Sequence, residues 1–163
     1  MSLSLEEQLV NKLMEKNWHI SSAESCTGGL VASRIVNVAN ASKVFDVSFV
    51  TYANEAKIKY LGVSPATILQ YGVVSEEVVF EMATGVAKEA GSEVGIAISG
   101  IAGPSGGTEK KPVGMVCFGF YVNGHVTTKT CQFGNPGRNE VRTLSTEYAL
   151  RTALELLGNI ISP

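Results

Sequence analysis

Histidine, cysteine and unbalanced charge are all scarce in this chain. Its 163 residues include 2 histidines and 3 cysteines. The cysteines, Cys26, Cys117 and Cys131, are odd in number and far apart, and no CxxC or Cys/His spacing occurs. That argues against a structural zinc site and leaves reduced thiols as the simplest reading. Lys and Arg number 13 against 15 Asp and Glu, for a net charge of −2. No stripe of cations is available to neutralise a phosphate backbone, so nucleic acid is not an expected partner. A small phosphorylated ligand stays open, because one or two cations and some main-chain amides suffice for it. No apolar run approaches the ~20 residues of a membrane span. The start of the chain lacks the basic-then-apolar pattern of a signal peptide. The expectation is therefore a cytoplasmic protein with no membrane contact.

What the chain does have is an ordinary globular composition, 45% hydrophobic and 17% charged. A domain of about 150 residues buries roughly 70% of its unfolded surface. One domain over residues 1–163 is expected, with no need for a disulfide, a metal or a cofactor to hold it together.

Ser4 with Glu7 three residues later is a capping-box signature, and Leu5, Leu9, Val10 and Leu13 follow at helical spacing. Residues 18–23 read as a strand and 30–38 as a helix. Residues 47–52 read as a strand, 54–61 as a short helix, and Ser64-Pro65 as the cap and first position of another. Ser75 caps a helix over 76–90 that stops at Gly91. Residues 94–98 form a buried strand by composition. Residues 113–122 and 125–133 pair around Asn123-Gly124, the strongest hairpin signal present. A long helix over 138–157 closes the chain. This interleaving predicts an α/β fold, a three-layer α/β/α sandwich with a mixed sheet that includes one antiparallel hairpin.

Four segments are hard to explain by folding alone. Glu24-Ser25-Cys26-Thr27-Gly28-Gly29 places two glycines where a helix is expected to begin, at about 1 kcal/mol each against alanine. A ligand approaching the backbone would account for them. Ser25 would then lie at a helix N-terminus, where an oxyanion is favoured, although simple capping by Ser25 or Thr27 explains the same residues. Thr51-Tyr52-Ala53-Asn54-Glu55-Ala56-Lys57 offers a lysine as the base that a serine nucleophile needs. The two histidines, His19 and His125, lie on predicted strands away from any motif, which disfavours a Ser-His-Asp triad. Read alone, Lys57 is a solvated lysine and Tyr52 a core aromatic. The run from Ser99 to Thr108 is a main-chain amide cradle or a plain surface loop, and fits neither the Walker A nor the dinucleotide spacing. Arg138 stands at a helix start, where a cation is disfavoured unless it meets an anion. All four fall at strand ends or helix starts, the usual ligand edge of an α/β sheet.

As a set, Ala23 to Gly29, Thr51 to Asn54 with Lys57, Gly72 to Ser75, Ser99 to Pro104 with Gly106-Gly107, and Lys111 to Gly114 resemble the CinA C-terminal-domain family. The resemblance runs in order from about residue 5 to residue 157. Two departures are visible: Ser99 stands where the family usually has threonine, and Asn40-Ala41-Ser42 where it commonly has a Gly-Ser pair. Members include stand-alone nicotinamide mononucleotide amidohydrolases. The resemblance thus implies hydrolysis of a nicotinamide carboxamide to carboxylate and ammonia, with nicotinamide mononucleotide as small-molecule partner. It implies Ser25 as nucleophile and Tyr52 and Lys57 as proton handlers. Cys26, Thr27, Gly28, Gly29, Ser42, Asn54, Ser99, Gly100, Gly103, Gly106, Gly107 and Arg138 are the expected substrate contacts, with no metal or cofactor. It also implies a homo-oligomer. Two alternatives remain at this point: a non-catalytic module that binds a nucleotide or phosphate, and a hydrolase of another small amide.

Overall fold

The computed structural model describes residues 2–158. The first helix, α1 (Leu5–Lys16), carries the expected capping box. Ser4 Oγ accepts from Glu7 N at 3.2 Å, and Glu7 Oε2 accepts from Ser4 N at 2.7 Å. Strand β1 (Ile20–Glu24) is buried at all five positions, as a strand covered on both faces must be. Then come α2 (Leu30–Val36), a single 3₁₀ turn at Ala41–Lys43, and β2 (Phe45–Val50). Helices α3 (Asn54–Leu61), α4 (Pro65–Tyr71) and α5 (Glu76–Ala90) precede β3 (Val94–Gly100). The hairpin β4 (Met115–Val122) and β5 (His125–Gln132) turns at Asn123-Gly124, both at positive φ. Helix α6 (Arg138–Gly158) follows.

The five strands lie in the order β2-β1-β3-β4-β5. The pairs β1/β2 and β1/β3 are parallel, while β3/β4 and β4/β5 are antiparallel. The sheet is mixed, with its antiparallel part in the hairpin side as expected. One face packs Ile20, Ile96, Ile98, Phe118 and Phe120 against α1, α2 and α6. The other packs Ala23, Ala97 and Cys117 against α5, with Leu61 of α3 in the same cluster. That second face is built from small residues because α5 lies close to it. A Cβ on Gly119 would stand 2.3 Å from the Val79 carbonyl oxygen. The result is the predicted three-layer sandwich.

This topology sends the segments after β1, β2 and β3, and the start of α6, to the same edge of the sheet. One expectation about that edge is corrected. Helix α2 begins at Leu30, so Gly28 (φ 56°) and Gly29 (φ 100°) form a left-handed turn ahead of it instead of its first turn. The glycines are there for positive φ, which other residues adopt poorly.

Candidate active site

The turn after β1 is held from inside the protein. Ser25 N donates to the Ile98 carbonyl at 3.1 Å, and Gly28 N donates to the Ser25 carbonyl at 3.0 Å. Glu24 is fully buried. Its Oε1 accepts from Thr27 Oγ1 at 2.7 Å, Gly29 N at 3.1 Å and Val31 N at 3.0 Å. Its Oε2 accepts from Ala32 N at 3.0 Å, Ser22 Oγ at 3.1 Å and Ser48 Oγ at 3.3 Å. A buried carboxylate with several donors is a satisfied one. It also closes the N-terminus of α2, which sequence reasoning left open to a ligand anion.

Lys57 enters the same place from α3. Only 1% of it is exposed. Its Nζ donates to the Thr51 carbonyl at 2.7 Å and to Ser25 Oγ at 3.3 Å. Among the described residues no carboxylate forms an ion pair with it. Burial holds its pKa below the ordinary lysine value, because a charged amine loses solvation there. Lys57 is therefore not the solvated lysine that its sequence position alone suggested. Cys26 is buried beside Ser25, and burial pushes its thiol up to about 11. A thiol is a poor nucleophile when its thiolate is out of reach, so Cys26 is the weaker candidate of the pair.

Ser25, Cys26 and Lys57 open on a cleft of about 260 Å³. Tyr52, Asn54, Ser99, Gly100, Gly103, Gly106 and Arg138 also line it, and no Asp or Glu does. Arg138 spans its mouth, donating to the Gly103 carbonyl at 2.7 Å and to Tyr52 Oη at 2.9 Å. Tyr52 is 64% exposed, so it is a rim residue and not a core aromatic. Its hydroxyl accepts from Arg138 and has no hydrogen bond to Ser25 or Lys57. Ser99 donates to the Val73 carbonyl at 2.9 Å and fixes the far wall. The N–H groups of Ala102, Gly103, Ser105 and Gly106 have no acceptor within the described protein.

Several expected contacts lie elsewhere. Thr27, Gly28 and Gly29 sit behind the turn, outside the cleft lining. Gly107 is also outside it; a Cβ there would stand 2.7 Å from Val113 N, so close packing of the loop explains the glycine. Ser42 is exposed on the 3₁₀ turn, by a separate depression shared with Val36 and Phe45. Sequence reasoning missed Arg142, whose Nε donates to the Cys26 carbonyl at 2.8 Å and Nη2 to the Thr27 carbonyl at 3.3 Å. Its one signal is spacing, four residues after Arg138 on the same helix. A wider groove of about 490 Å³ between α4 and α5 is lined by Glu76, Glu77 and Glu81 and by no serine, cysteine or lysine. Among the described residues no three His, Cys, Asp or Glu side chains gather to hold a metal, and no helix is long and apolar enough to cross a membrane.

A serine hydroxyl at the turn after a parallel strand, a buried amine beside it and an amide-rich loop opposite share one cleft on an α/β sandwich. Residues 2–157 match the CinA C-terminal domain, and the chain belongs to that family. It is 51% identical over 143 residues to the nicotinamide-nucleotide amidohydrolase PncC of Enterobacter agglomerans, covering 87% of each chain. It is 54% identical over 147 residues to a CinA-like protein of Kosmotoga olearia, covering 90% of this chain and 35% of that one. The chain thus spans about a third of the length of several curated relatives it matches. Among solved structures, a CinA superfamily protein of Klebsiella pneumoniae superposes with a TM-score of 0.91 at 33% identity, covering 96% of this chain and 97% of that one. The competence/damage inducible protein CihA of Agrobacterium tumefaciens gives 0.88 at 37% identity, covering 98% and 100%.

Proposed function

We propose that the chain hydrolyses the carboxamide of nicotinamide mononucleotide, releasing ammonia and the corresponding nicotinate nucleotide. The observation that carries this reading is the Lys57 amine, buried without a carboxylate and 3.3 Å from Ser25 Oγ. A lysine whose pKa is lowered by burial gives up its proton more readily and can serve a hydroxyl as general base. Ser25 Oγ bonds to the carboxamide carbon while Lys57 takes the hydroxyl proton and the carbonyl oxygen gains the charge. Collapse of that intermediate breaks the C–N bond, and Lys57 returns the proton to the leaving nitrogen as ammonia departs. Water then attacks the acyl ester, Lys57 accepts its proton, and Ser25 leaves with that proton restored. The anionic half of the substrate fits a cleft wall that lacks Asp and Glu and carries Arg138 with unpartnered amides at 102–106. A relative named nicotinamide-nucleotide amidohydrolase matches over most of both chains and supports this choice of substrate.

Purified protein should release ammonia from nicotinamide mononucleotide and not from free nicotinamide, and Ser25→Ala should abolish release while retaining substrate binding. Binding without release at high protein concentration would favour a non-catalytic nucleotide module instead. Release from another small amide alone would move the substrate, not the chemistry. Cytoplasmic residence and assembly as a homo-oligomer belong to the same reading. Light scattering at more than one protomer mass checks the second.

A further inference from the structure

We infer that Arg142 is a positioning residue that orients the backbone of the Ser25 turn so that the N–H of Cys26, which lines the cleft, receives the negative charge formed at the attacked carbonyl. The inference rests on the amidase reading for the reaction. Its geometry stands on the hydrogen bonds of the turn.

Most main-chain polar groups between Ser25 and Gly29 have a partner, the exceptions being the N–H groups of Cys26 and Thr27 and the Gly28 carbonyl. Ser25 N is on Ile98 O, Ser25 O receives Gly28 N, and Thr27 O receives Leu30 N at 3.0 Å. Gly29 N goes to Glu24. Arg142 takes the carbonyls of Cys26 and Thr27. The N–H groups of Cys26 and Thr27 are left without an acceptor among the described residues. A trans peptide points its N–H opposite to its C=O. By holding the Thr27 carbonyl, Arg142 fixes the peptide whose Gly28 N–H donates to the Ser25 carbonyl. The Gly28–Ser25 bond fixes the Cys26 N–H in the same manner. Cys26 directly follows the nucleophile and lines the cleft, whereas Thr27 is buried behind it.

A second observation points the same way. A Cβ on Gly28 would stand 3.3 Å from Arg142 Nη2, at a backbone φ of +56°. Glycine at 28 therefore admits a guanidinium from within the protein, where the sequence suggested a ligand. Arg142 has no carboxylate partner among the described residues; its remaining acceptor is Asn139 Oδ1 at 3.1 Å. Its fork reaches two successive carbonyls, a geometry that a lysine cannot reproduce. Its charge also lies behind the peptide planes that would polarise toward an oxyanion.

The test compares wild type, Arg142→Lys and Arg142→Met by three readouts. These are ammonia release from nicotinamide mononucleotide, the rate at which a fluorophosphonate reagent modifies Ser25 by intact mass, and thermal unfolding. Arg142→Met should lose on the order of 10²–10³ in kcat, as loss of an oxyanion donor does, with KM within about twofold. Phosphonylation should slow in parallel, Arg142→Lys should retain more of both rates, and the pH dependence set by Lys57 should not move. Added guanidinium should restore part of the Arg142→Met rate. Unchanged kcat in Arg142→Met overturns the inference, as does a joint fall of kcat, KM and unfolding temperature in both variants with no rescue. If wild type is phosphonylated at Ser25 yet releases no ammonia, the substrate reading fails, and the phosphonylation rates alone decide the role of Arg142. Failure of the reagent to modify Ser25 in wild type overturns both.

Discussion

The turn after β1 and the loop after β3 are both rich in glycine, leave the same edge of the sheet and border the same cleft, yet their main-chain donors end differently. At the turn, Glu24 takes the amides of Gly29, Val31 and Ala32. In the loop, the amides of Ala102, Gly103, Ser105 and Gly106 stay unpartnered. Glycine content is similar, so it does not decide which segment can cradle an anion. The residue at the strand end decides. β1 ends in a buried carboxylate, which satisfies the helix start that follows. β3 ends in Ser99-Gly100, and the Ser99 hydroxyl turns to Val73. The turn is thus a rigid mount for Ser25 that leaves the Cys26 amide free beside it, and the loop carries the larger set of free amides.

Variants can break that contrast at either side. The largest effect is expected at Lys57, which joins the two. Lys57→Met should lower turnover by about 10²–10⁴, the range for removing a general base, measured as ammonia release. It should also raise stability. In wild type the folded-state pKa is lowered, so between that value and about 10.4 the unfolded chain binds more protons than the folded one. Stability then rises with pH across this window, and below it the burial penalty acts in full. Lys57→Met should lose that slope and gain most at the acidic side. Thermal unfolding across pH checks this, and an unchanged slope would mean the ammonium is solvated after all. In wild type, kcat/KM should climb with pH and level off once Lys57 is neutral.

Glu24→Ala comes next and attacks the mount. It leaves six donors without their acceptor, at a cost of roughly 4 kcal/mol when charged hydrogen bonds contribute about 1.5–3 kcal/mol each and water replaces part of them. For a domain of this size that is a fall in Tm of about 10 °C. Calorimetry showing a fall of under two degrees would mean that the α2 amides find another acceptor. Arg138→Ala attacks the loop side and should leave Tm nearly unchanged, since the side chain is exposed. It removes the cation at the cleft mouth, so KM for the nucleotide should rise about 10- to 100-fold, the equivalent of one charged hydrogen bond. If Arg138→Ala instead lowers Tm and spares KM, its bonds to Tyr52 and Gly103 are structural.

Local features were legible in the sequence because their partners are near in the chain. The Ser4/Glu7 box, the Ser75 cap, the Gly91 stop and the Asn123-Gly124 turn each involve residues within a few positions, and each formed as expected. Sheet composition and the 3.6-residue pattern also gave the layer order. The site was legible only as a set of strand ends, with the pairing of Ser25 and Lys57 coming through resemblance. What escaped depends on distant partners. Glu24 needs Ser48 from another strand, and Arg142 reaches back more than a hundred residues to Cys26 and Thr27. The exposure of Tyr52 follows from its place between β2 and α3, which no periodicity encodes. Ser42 was carried by motif position, and the 3₁₀ turn set it apart from the cleft.

The smallest effect is expected at Thr51, beneath the amine. Its Oγ1 is the one buried side-chain polar atom without a partner among the described residues, while its carbonyl holds Lys57. An orphaned hydroxyl costs on the order of 1–3 kcal/mol. Thr51→Val keeps the shape and the carbonyl and removes the orphan, so Tm should rise by about 2–4 °C for each kcal/mol recovered. The anchor of Lys57 is main-chain and survives the change, so the pH at which kcat/KM levels off should stay in place. A fall in Tm, or a shifted pH profile, would show that the hydroxyl has a partner during folding or turnover and that the wall under Lys57 is wetter than the rest of the mount.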